Sequence, residues 1–304
     1  MSEGTPREFK SILVATDFSD TAHAGYLWAV ELAKVHDAEI RLVHGLMLPS
    51  QATDFLPSPP DYSEEIQAAA LARLDRAANE ARDRGCEVET DLRLGMPSQC
   101  IMDAAEEDGA DLIVIGTRGL TGLSHLLLGS TAQRVVQHAK CPVLAIHPGD
   151  IDQHRKMKGI LVPTDFSDNA ARAIHIAMEI LDKEPDETRL VLLHVYHLPF
   201  EYTAYGTVPT AVDYFQDVEG NAQQRLEEIA APLRKQGLEI KTVAREGYPP
   251  EVIVAVADEL KTDLIAVGTH GRSGLAHLLL GSTAERVMQT APCPVLTVRL
   301  PEGD

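Results

Sequence analysis

Two short segments hold residues whose types and spacing could do chemistry, and each occurs twice in the chain. The first is TDFS, with Asp17 in one occurrence and Asp165 in the other. The second carries Gly116, Gly119, Gly122 and Gly129 followed by Ser130 and Thr131, and returns as Gly268, Gly271, Gly274 and Gly281 followed by Ser282 and Thr283. Glycine lets backbone N–H groups approach a phosphate closely and permits positive φ. A helix opening directly after such a loop (STAQRVVQ, STAERVMQ) offers unpaired N–H groups and the positive end of its dipole to an anion. The same residues allow a second reading: Ser130 with Gln133, and Ser282 with Glu285, have the spacing of capping boxes that would satisfy those N–H groups internally. Asp17 and Asp165 are open in the same way. They either precede a helix capped by Ser19 or Asp20, and by Ser167 or Asp168, or they present a carboxylate that accepts hydrogen bonds from an adenine amino group or ribose hydroxyls.

Both segments belong to a duplication that spans the chain. VATDFSD recurs as VPTDFSD with six of seven residues retained, and GTRGLTGLSHLLLGSTAQRV recurs as GTHGRSGLAHLLLGSTAERV with fifteen of twenty. Shorter matches fall in order between them, and the offset drifts only from 148 to 152 residues. A period that long is a domain duplication and not a solenoid. It divides the chain into residues 1–148 and 158–304, joined by a polar, turn-rich linker at 149–157. The second helices, EEIQAAALARLDRAANEARDRG and GNAQQRLEEIAAPLRKQG, read as sharing little, so retention elsewhere marks the places where more than amphipathicity is held.

These segments need elements to position them. Copy one reads as a strand FKSILVAT, a helix Asp20–His36, a strand EIRLVH, a Pro-rich loop Leu48–Tyr62 and a long helix ending at Arg84. There follow a strand EVETDLR, a helix Pro97–Asp108, a strand DLIVIG, a helix Ser130–His138 and a strand PVLAIH. Copy two repeats the order, with a loop Tyr196–Phe215, a helix ending at Gln236 and a helix Pro249–Leu260. Strands that are apolar throughout and alternate with helices predict an α/β fold: two tandem doubly wound domains, each a five-stranded parallel sheet with helices on both faces. Ligands bind such sheets at the carboxyl ends of the strands. The retained segments follow strands one and four, which are neighbours in the order 3-2-1-4-5 and apart in 2-1-3-4-5, so the first order is expected. The terminal strands Val143–Ile146 and Val295–Val298 are apolar and are expected to pair within the chain or between chains, giving an internal pseudo-dimer or a homodimer.

Bulk properties exclude several classes. With 27 basic and 46 acidic residues the net charge is −19, which argues against nucleic acid and against an anionic membrane surface as partner. No run of eighteen apolar residues is present, and MSEGTPREFK lacks the apolar core of a signal peptide, so a cytoplasmic location is expected. Cys86, Cys100, Cys141 and Cys293 form no CxxC pair and no zinc spacing, and read as buried thiols. His44, His125, His194 and His277 read as packing or loop-ordering residues, and Arg134 and Arg286 as facing either a γ-phosphate or solvent. There is no GxxxxGK[ST], no GxGxxG after strand one and no GxSxG.

Taken together, TDFS after strand one and the spacing Gly116-x2-Gly119-x9-Gly129-Ser130, repeated as Gly268-x2-Gly271-x9-Gly281-Ser282, resemble the ATP-binding branch of the universal stress protein family, in its tandem-domain subclass. The resemblance implies that Asp17 and Asp165 contact the adenosine, that backbone at Gly45 and Val195 lines the adenine pocket, and that Gly116 and Gly268 lie near the ribose. It assigns the phosphates to Gly119, Gly129, Ser130 and Thr131, and to Gly271, Gly281, Ser282 and Thr283, with Mg2+ accompanying them. Copy one departs from the family at Ala15, where copy two has Pro163, and at Gly45, where a bulkier apolar residue is usual. The expected function is an ATP-binding regulatory or stress-response module with two sites per chain, whose loops Leu48–Tyr62 and Tyr196–Phe215 change the surface offered to a protein partner. The alternatives are a slow ATPase or adenylate-transferring enzyme using the same sites, or a structural protein with vestigial pockets.

Overall fold

Apolar runs such as SILVA and LIVIG lack the polar alternation of a strand with one wet face, and the chain buries them on both sides: Ile12, Leu13, Val14, Leu112, Ile113 and Val114 are all fully buried. The computed structural model describes residues 9–48, 63–119, 128–150, 157–181, 189–197, 209–269 and 280–300, with backbone alone for 209–216. The chain divides between His154 and Arg155 into two compact units.

The first unit runs β1 (Ser11–Ala15), α1 (Asp20–His36), β2 (Glu39–Leu46), α2 (Ser63–Asp83), β3 (Val88–Leu94), α3 (Pro97–Glu107), β4 (Leu112–Gly116), α4 (Ser130–His138) and β5 (Val143–Ile146). The second runs β6 (Gly159–Pro163), α5 (Asp168–Ile180), β7 (Arg189–Tyr196), α6 (Pro209–Arg234), β8 (Glu239–Glu246), α7 (Pro249–Leu260), β9 (Leu264–Gly268), α8 (Ser282–Thr290) and β10 (Val295–Val298). Pairing is parallel throughout each unit, in the orders β3-β2-β1-β4-β5 and β8-β7-β6-β9-β10. The expected 3-2-1-4-5 arrangement is therefore present in both. Right-handed crossovers place α1 and α2 on one face of the first sheet and α3 and α4 on the other. The Tyr26 hydroxyl of α1 donates to the Ala77 carbonyl of α2 at 2.6 Å, and its burial pushes the phenol up to about 12. A carboxylate locks the starts of the central strands together in each unit. Asp111 Oδ2 accepts from the N–H groups of Lys10 and Ser11, and Asp263 Oδ2 from those of Lys158 and Gly159.

Two expectations need correction. Part of the segment Tyr196–Phe215 is regular structure: β7 runs through Tyr196 and α6 begins at Pro209, where a missing N–H and a fixed φ suit a first helical position. Residues 49–62 and 198–208, which hold most of the two expected loops, lie outside the described residues. The second helices, which read as sharing little, keep one register. Ala70, Leu74 and Ala78 of α2 are buried, and so are their counterparts Ala222, Leu226 and Ala230 of α6. Arg82 and Arg234, also matched, donate to the carbonyls of Val88 and Ile240 at 2.6 and 2.9 Å. Small residues let the helix lie close on the sheet, and low sequence identity hid a preserved seam.

Cys86, Cys100 and Cys293 are buried and Cys141 is half-buried; burial pushes the Cys86 and Cys100 thiols up. Among the described residues no helix is long and apolar enough to cross a membrane. The seam makes a stability prediction. Leu74→Ala should cost about 2–5 kcal/mol, whereas Leu71→Ala, on the exposed side of the same helix, should stay within about 0.5 kcal/mol. Urea unfolding followed by far-UV circular dichroism checks both, and equal effects would show that α2 does not pack as described.

Candidate functional site

The turn after β1 is built by its own side chains. Thr16 Oγ1 accepts from the Phe18 N–H at 3.0 Å, Asp17 Oδ1 from the Ser19 N–H at 3.0 Å, and Ser19 Oγ from the Ala22 N–H at 3.2 Å, which caps α1. The second unit repeats the three bonds with Thr164 to Phe166, Asp165 to Ser167 and Ser167 to Ala170 at 3.0, 3.0 and 3.3 Å. Ser19 and Ser167 are thus the caps, and Asp20 and Asp168 are the first helical residues. Closing the turn puts Phe18 at φ 64° and Phe166 at φ 66°, a left-handed conformation that costs a bulky residue about 1–3 kcal/mol. Stacking holds each ring there. The Phe18 ring lies 4.6 Å from the His44 ring and under the Arg73 guanidinium at 4.3 Å; Phe166 has His194 at 4.4 Å and Arg225 at 4.3 Å. His44 Nδ1–H and His194 Nδ1–H donate to the carbonyls of Thr16 and Thr164, each at 2.7 Å. Both histidines therefore order the turn, and no cluster of three or more His, Cys, Asp or Glu that could hold a metal occurs among the described residues.

Gly116, Gly119, Gly129 and Gly268 are required by close approach and not by φ. A Cβ on Gly116 would lie 3.1 Å from Thr21 Cγ2 and 3.2 Å from the Ala22 nitrogen, and one on Gly268 would lie 3.0 Å from Asn169 Cβ, so these glycines let the first turns of α1 and α5 lie against the ends of β4 and β9. A side chain on Gly119 would run into Asp17 Oδ2, and one on Gly129 would meet the Thr117 carbonyl at 3.2 Å. Among the described residues the glycines at positive φ are Gly85, Gly95, Gly109, Gly237 and Gly247, and the described glycines of the retained loops are not among them. Gly271 and the loop segments 120–127 and 270–279, with Gly122, Gly274, His125 and His277, lie outside the described residues.

The capping-box reading is overturned. Gly129 (φ −59°, ψ 142°) and Gly281 (φ −60°, ψ 139°) take the cap position, Ser130 and Ser282 are already helical, and no side chain caps either end. A hydroxyl can reach back to the first-turn amides only from the residue before the helix, and there the chain has no side chain. The Gly129 N–H is held by the Thr117 carbonyl at 2.9 Å and the Gly281 N–H by that of Thr269 at 2.7 Å. The first-turn amides without an intrahelical acceptor are consequently those of Ser130, Thr131 and Ala132, and of Ser282, Thr283 and Ala284. Arg134 does not join them: its Nη1 lies 2.7 Å from Met96 Sδ.

These parts surround one cavity per unit. In the first unit Asp17, Gly45, Gly116, Gly119, Gly129, Ser130 and Thr131 all line a space of about 270 Å3. In the second Asp165, Val195, Gly268, Gly281, Ser282 and Thr283 line one of about 400 Å3. Further lining residues come from α3 and α7, namely Pro97 with Ile101 and Pro249 with Ile253, and from the turns, namely Thr16 with Thr117 and Thr164 with Thr269. These are identical in the two copies, and the self-comparison that picked out the glycines could have found them. Each cavity has a polar end at the helix amides and an apolar end, which in the first unit comprises Ala15, Gly45, Pro97, Ile101 and Ile115. Strand parity sets the backbone there. The Thr16 N–H bonds to the Val43 carbonyl and the Gly95 N–H to that of Leu46, so odd residues of β2 face β1 and even ones face β3. Pairing with β1 ends at Val43, which leaves the N–H and C=O of Gly45 directed past the end of β1 into the cavity. Thr164 to Leu193 and Gly247 to Tyr196 place Val195 in the same way.

Capping offers a direct check. Ser19→Ala should lower stability by about 1 kcal/mol, and Ser130→Ala should leave it within about 0.5 kcal/mol. Equal losses in urea unfolding would reinstate Ser130 as a cap.

Comparison with known proteins agrees with this architecture. The family model described as "Universal stress protein family" matches residues 8–147 and again 156–299. The chain is similar to a universal stress protein of Mycolicibacterium smegmatis, 27% identical over 293 residues covering 95% of this chain and 96% of that one. One from Thermus aquaticus is 39% identical over 140 residues, 45% of this chain and 98% of its own length. The crystal structure of a universal stress protein from Archaeoglobus fulgidus superposes with a TM-score of 0.71 at 24% identity, covering 95% of this chain and 98% of that one, a likeness of fold. The chain belongs to the universal stress protein family and carries two of its domains in tandem.

Proposed function

We propose that each unit binds one adenine nucleotide, ATP in preference, and that the protein is a regulatory module responding to nucleotide rather than an enzyme of ordinary turnover. The observation that carries this reading is the uncapped start of α4 and of α8, whose amides open into the cavity that also holds the turn carboxylate. A helix start left without a side-chain cap offers its first-turn amides to an anion, and the Ser130, Thr131, Ser282 and Thr283 hydroxyls add donors for phosphate oxygens. At the other end, apolar walls about a base-sized gap and a backbone N–H and C=O at Gly45 or Val195 suit the N1 and 6-amino group of adenine. Asp17 and Asp165 then fall to the ribose hydroxyls between the two ends. Volumes of about 270 and 400 Å3 fall in or near the usual range for such ligands, roughly 300–1,000 Å3.

Mg2+ would enter on the triphosphate, since each described lining supplies a single carboxylate. The slow-ATPase alternative has one feature in its favour, the Arg118 side chain at the first cavity. Phosphoryl transfer needs several positioned cations and a group that orients the nucleophile. Among the described lining residues of the second cavity there is no lysine or arginine. Binding without rapid cleavage fits a ligand that acts by mass action. At 100 times its Kd a nucleotide stabilises the bound form by about 2.7 kcal/mol.

Calorimetry with MgATP should give two sites per chain, with GTP weaker. Gly129→Val should remove the first-unit site and Gly281→Val the second, each leaving the other intact, and turnover should lie far below the ordinary enzyme value of about 10 s−1. Unchanged stoichiometry in both variants would show that the nucleotide lies elsewhere, and ordinary turnover would make the protein an ATPase.

A further inference from the structure

Position 45 and its counterpart 195 differ in kind between the two cavities. A Cβ on Gly45 would lie 2.6 Å from Pro97 Cα, 3.1 Å from Pro97 Cβ and 3.4 Å from Cys100 Cβ. Real Cβ atoms do not come that close to a backbone carbon, so in the first unit the start of α3 rests directly on the bare backbone of β2. The second unit has Val195 there, with a Cβ and two methyl groups, and Pro249 at the start of α7 still lines its cavity. Helix α7 must therefore stand off β7 by roughly the thickness of a side chain that α3 does without. The cavity volumes, about 270 Å3 in the first unit against about 400 Å3 in the second, differ in the direction that a helix standing off its strand would give.

We infer that position 45/195 determines base specificity, the first unit taking only unsubstituted adenine and the second also accepting adenine nucleotides enlarged at the 6-amino group. This rests on the nucleotide reading above. With the base edge paired to the backbone of Gly45 or Val195, a substituent on the 6-amino nitrogen projects between the strand end and the helix start. In the first unit it meets Pro97 packed on the strand. In the second it enters the gap that Val195 holds open beside Pro249 and Ile253. One N–H remains on the substituted nitrogen, so the hydrogen bond to the carbonyl is kept and the discrimination is steric. Forcing such a group into a packed contact weakens binding by roughly tenfold to hundredfold.

The test compares MgATP with the magnesium complex of N6-benzyl-ATP on the full chain by calorimetry. ATP should fill both sites, and N6-benzyl-ATP should fill one at comparable affinity and the other at least about tenfold more weakly. In Gly129→Val the benzyl analogue should retain its tight site, and in Gly281→Val it should lose it. Hydrogen exchange on the wild type assigns the site even if a variant fails to fold: the analogue should protect the peptide holding Ser282–Ala284 before the one holding Ser130–Ala132. Equal affinity of the analogue at both sites, loss at both while ATP still fills both, or tight binding at the first unit would each overturn the inference and leave the nucleotide reading standing. Failure of ATP itself to bind would remove the nucleotide reading.

Discussion

A helix needs something to receive its first-turn amides, and in α4 and α8 the chain withholds the usual answer. The cap position is glycine, its own N–H is turned back onto the carbonyl of Thr117 or Thr269, and the hydroxyls of Ser130 and Ser282 have moved one residue too far into the helix to cap it. Much of the surrounding geometry serves this arrangement. Thr117 is itself anchored to the end of β5, with its N–H and Oγ1 both donating to the Ile146 carbonyl at 2.8 and 3.0 Å, which fixes where the loop leaves β4. Gly116 lets α1 pack tightly on the same strand end, and Gly119 leaves room for the carboxylate of Asp17. The amides face a cavity because strand order 3-2-1-4-5 puts the ends of β1 and β4 side by side.

The opposing turn is held under strain. A phenylalanine at positive φ in each unit is held because neighbouring groups over-determine it: a histidine bonded to the threonine carbonyl two residues earlier, an arginine above the ring, and threonine and aspartate side chains that accept from the backbone N–H groups of the turn. An exposed cation–π contact contributes about 0.5–1 kcal/mol, so stacking and hydrogen bonding together offset a cost of similar size. The result is a carboxylate fixed at the cavity rim without a flexible arm. Arg73 and Arg225 come from α2 and α6, which ties the turn to the helices on the opposite side of the sheet from α3 and α7.

Much of this was legible in the sequence because the chain contains its own comparison. Duplication exposed the turn and the glycine loop, and parallel α/β topology followed from apolar strands alternating with helices. What escaped was of two kinds. Residues that line the cavity by packing, such as Pro97 and Ile101, have no chemistry to advertise, though their identity in both copies was visible. Geometry that depends on a single residue of register was ambiguous: Ser130 with Gln133 is spaced as a capping box whether the serine stands before the helix or inside it. The second helices misled for a related reason, since a seam of Ala, Leu and Ala at helical spacing is little sequence but a complete packing face. The close contact of Gly45 with Pro97 was beyond sequence altogether, because it arises between elements fifty residues apart.

The proposed nucleotide site stands or falls on whether the amides at the starts of α4 and α8 hold phosphate. Amide nuclear magnetic resonance of the 15N-labelled chain, titrated with MgATP and in parallel with adenosine, tests it most directly. ATP should move the amide signals of Ser130, Thr131 and Ala132, and of Ser282, Thr283 and Ala284, while adenosine should move those near Gly45 and Val195 and leave the helix starts unchanged. Perturbation by ATP confined to other regions, with both helix starts unmoved at saturation, would contradict it.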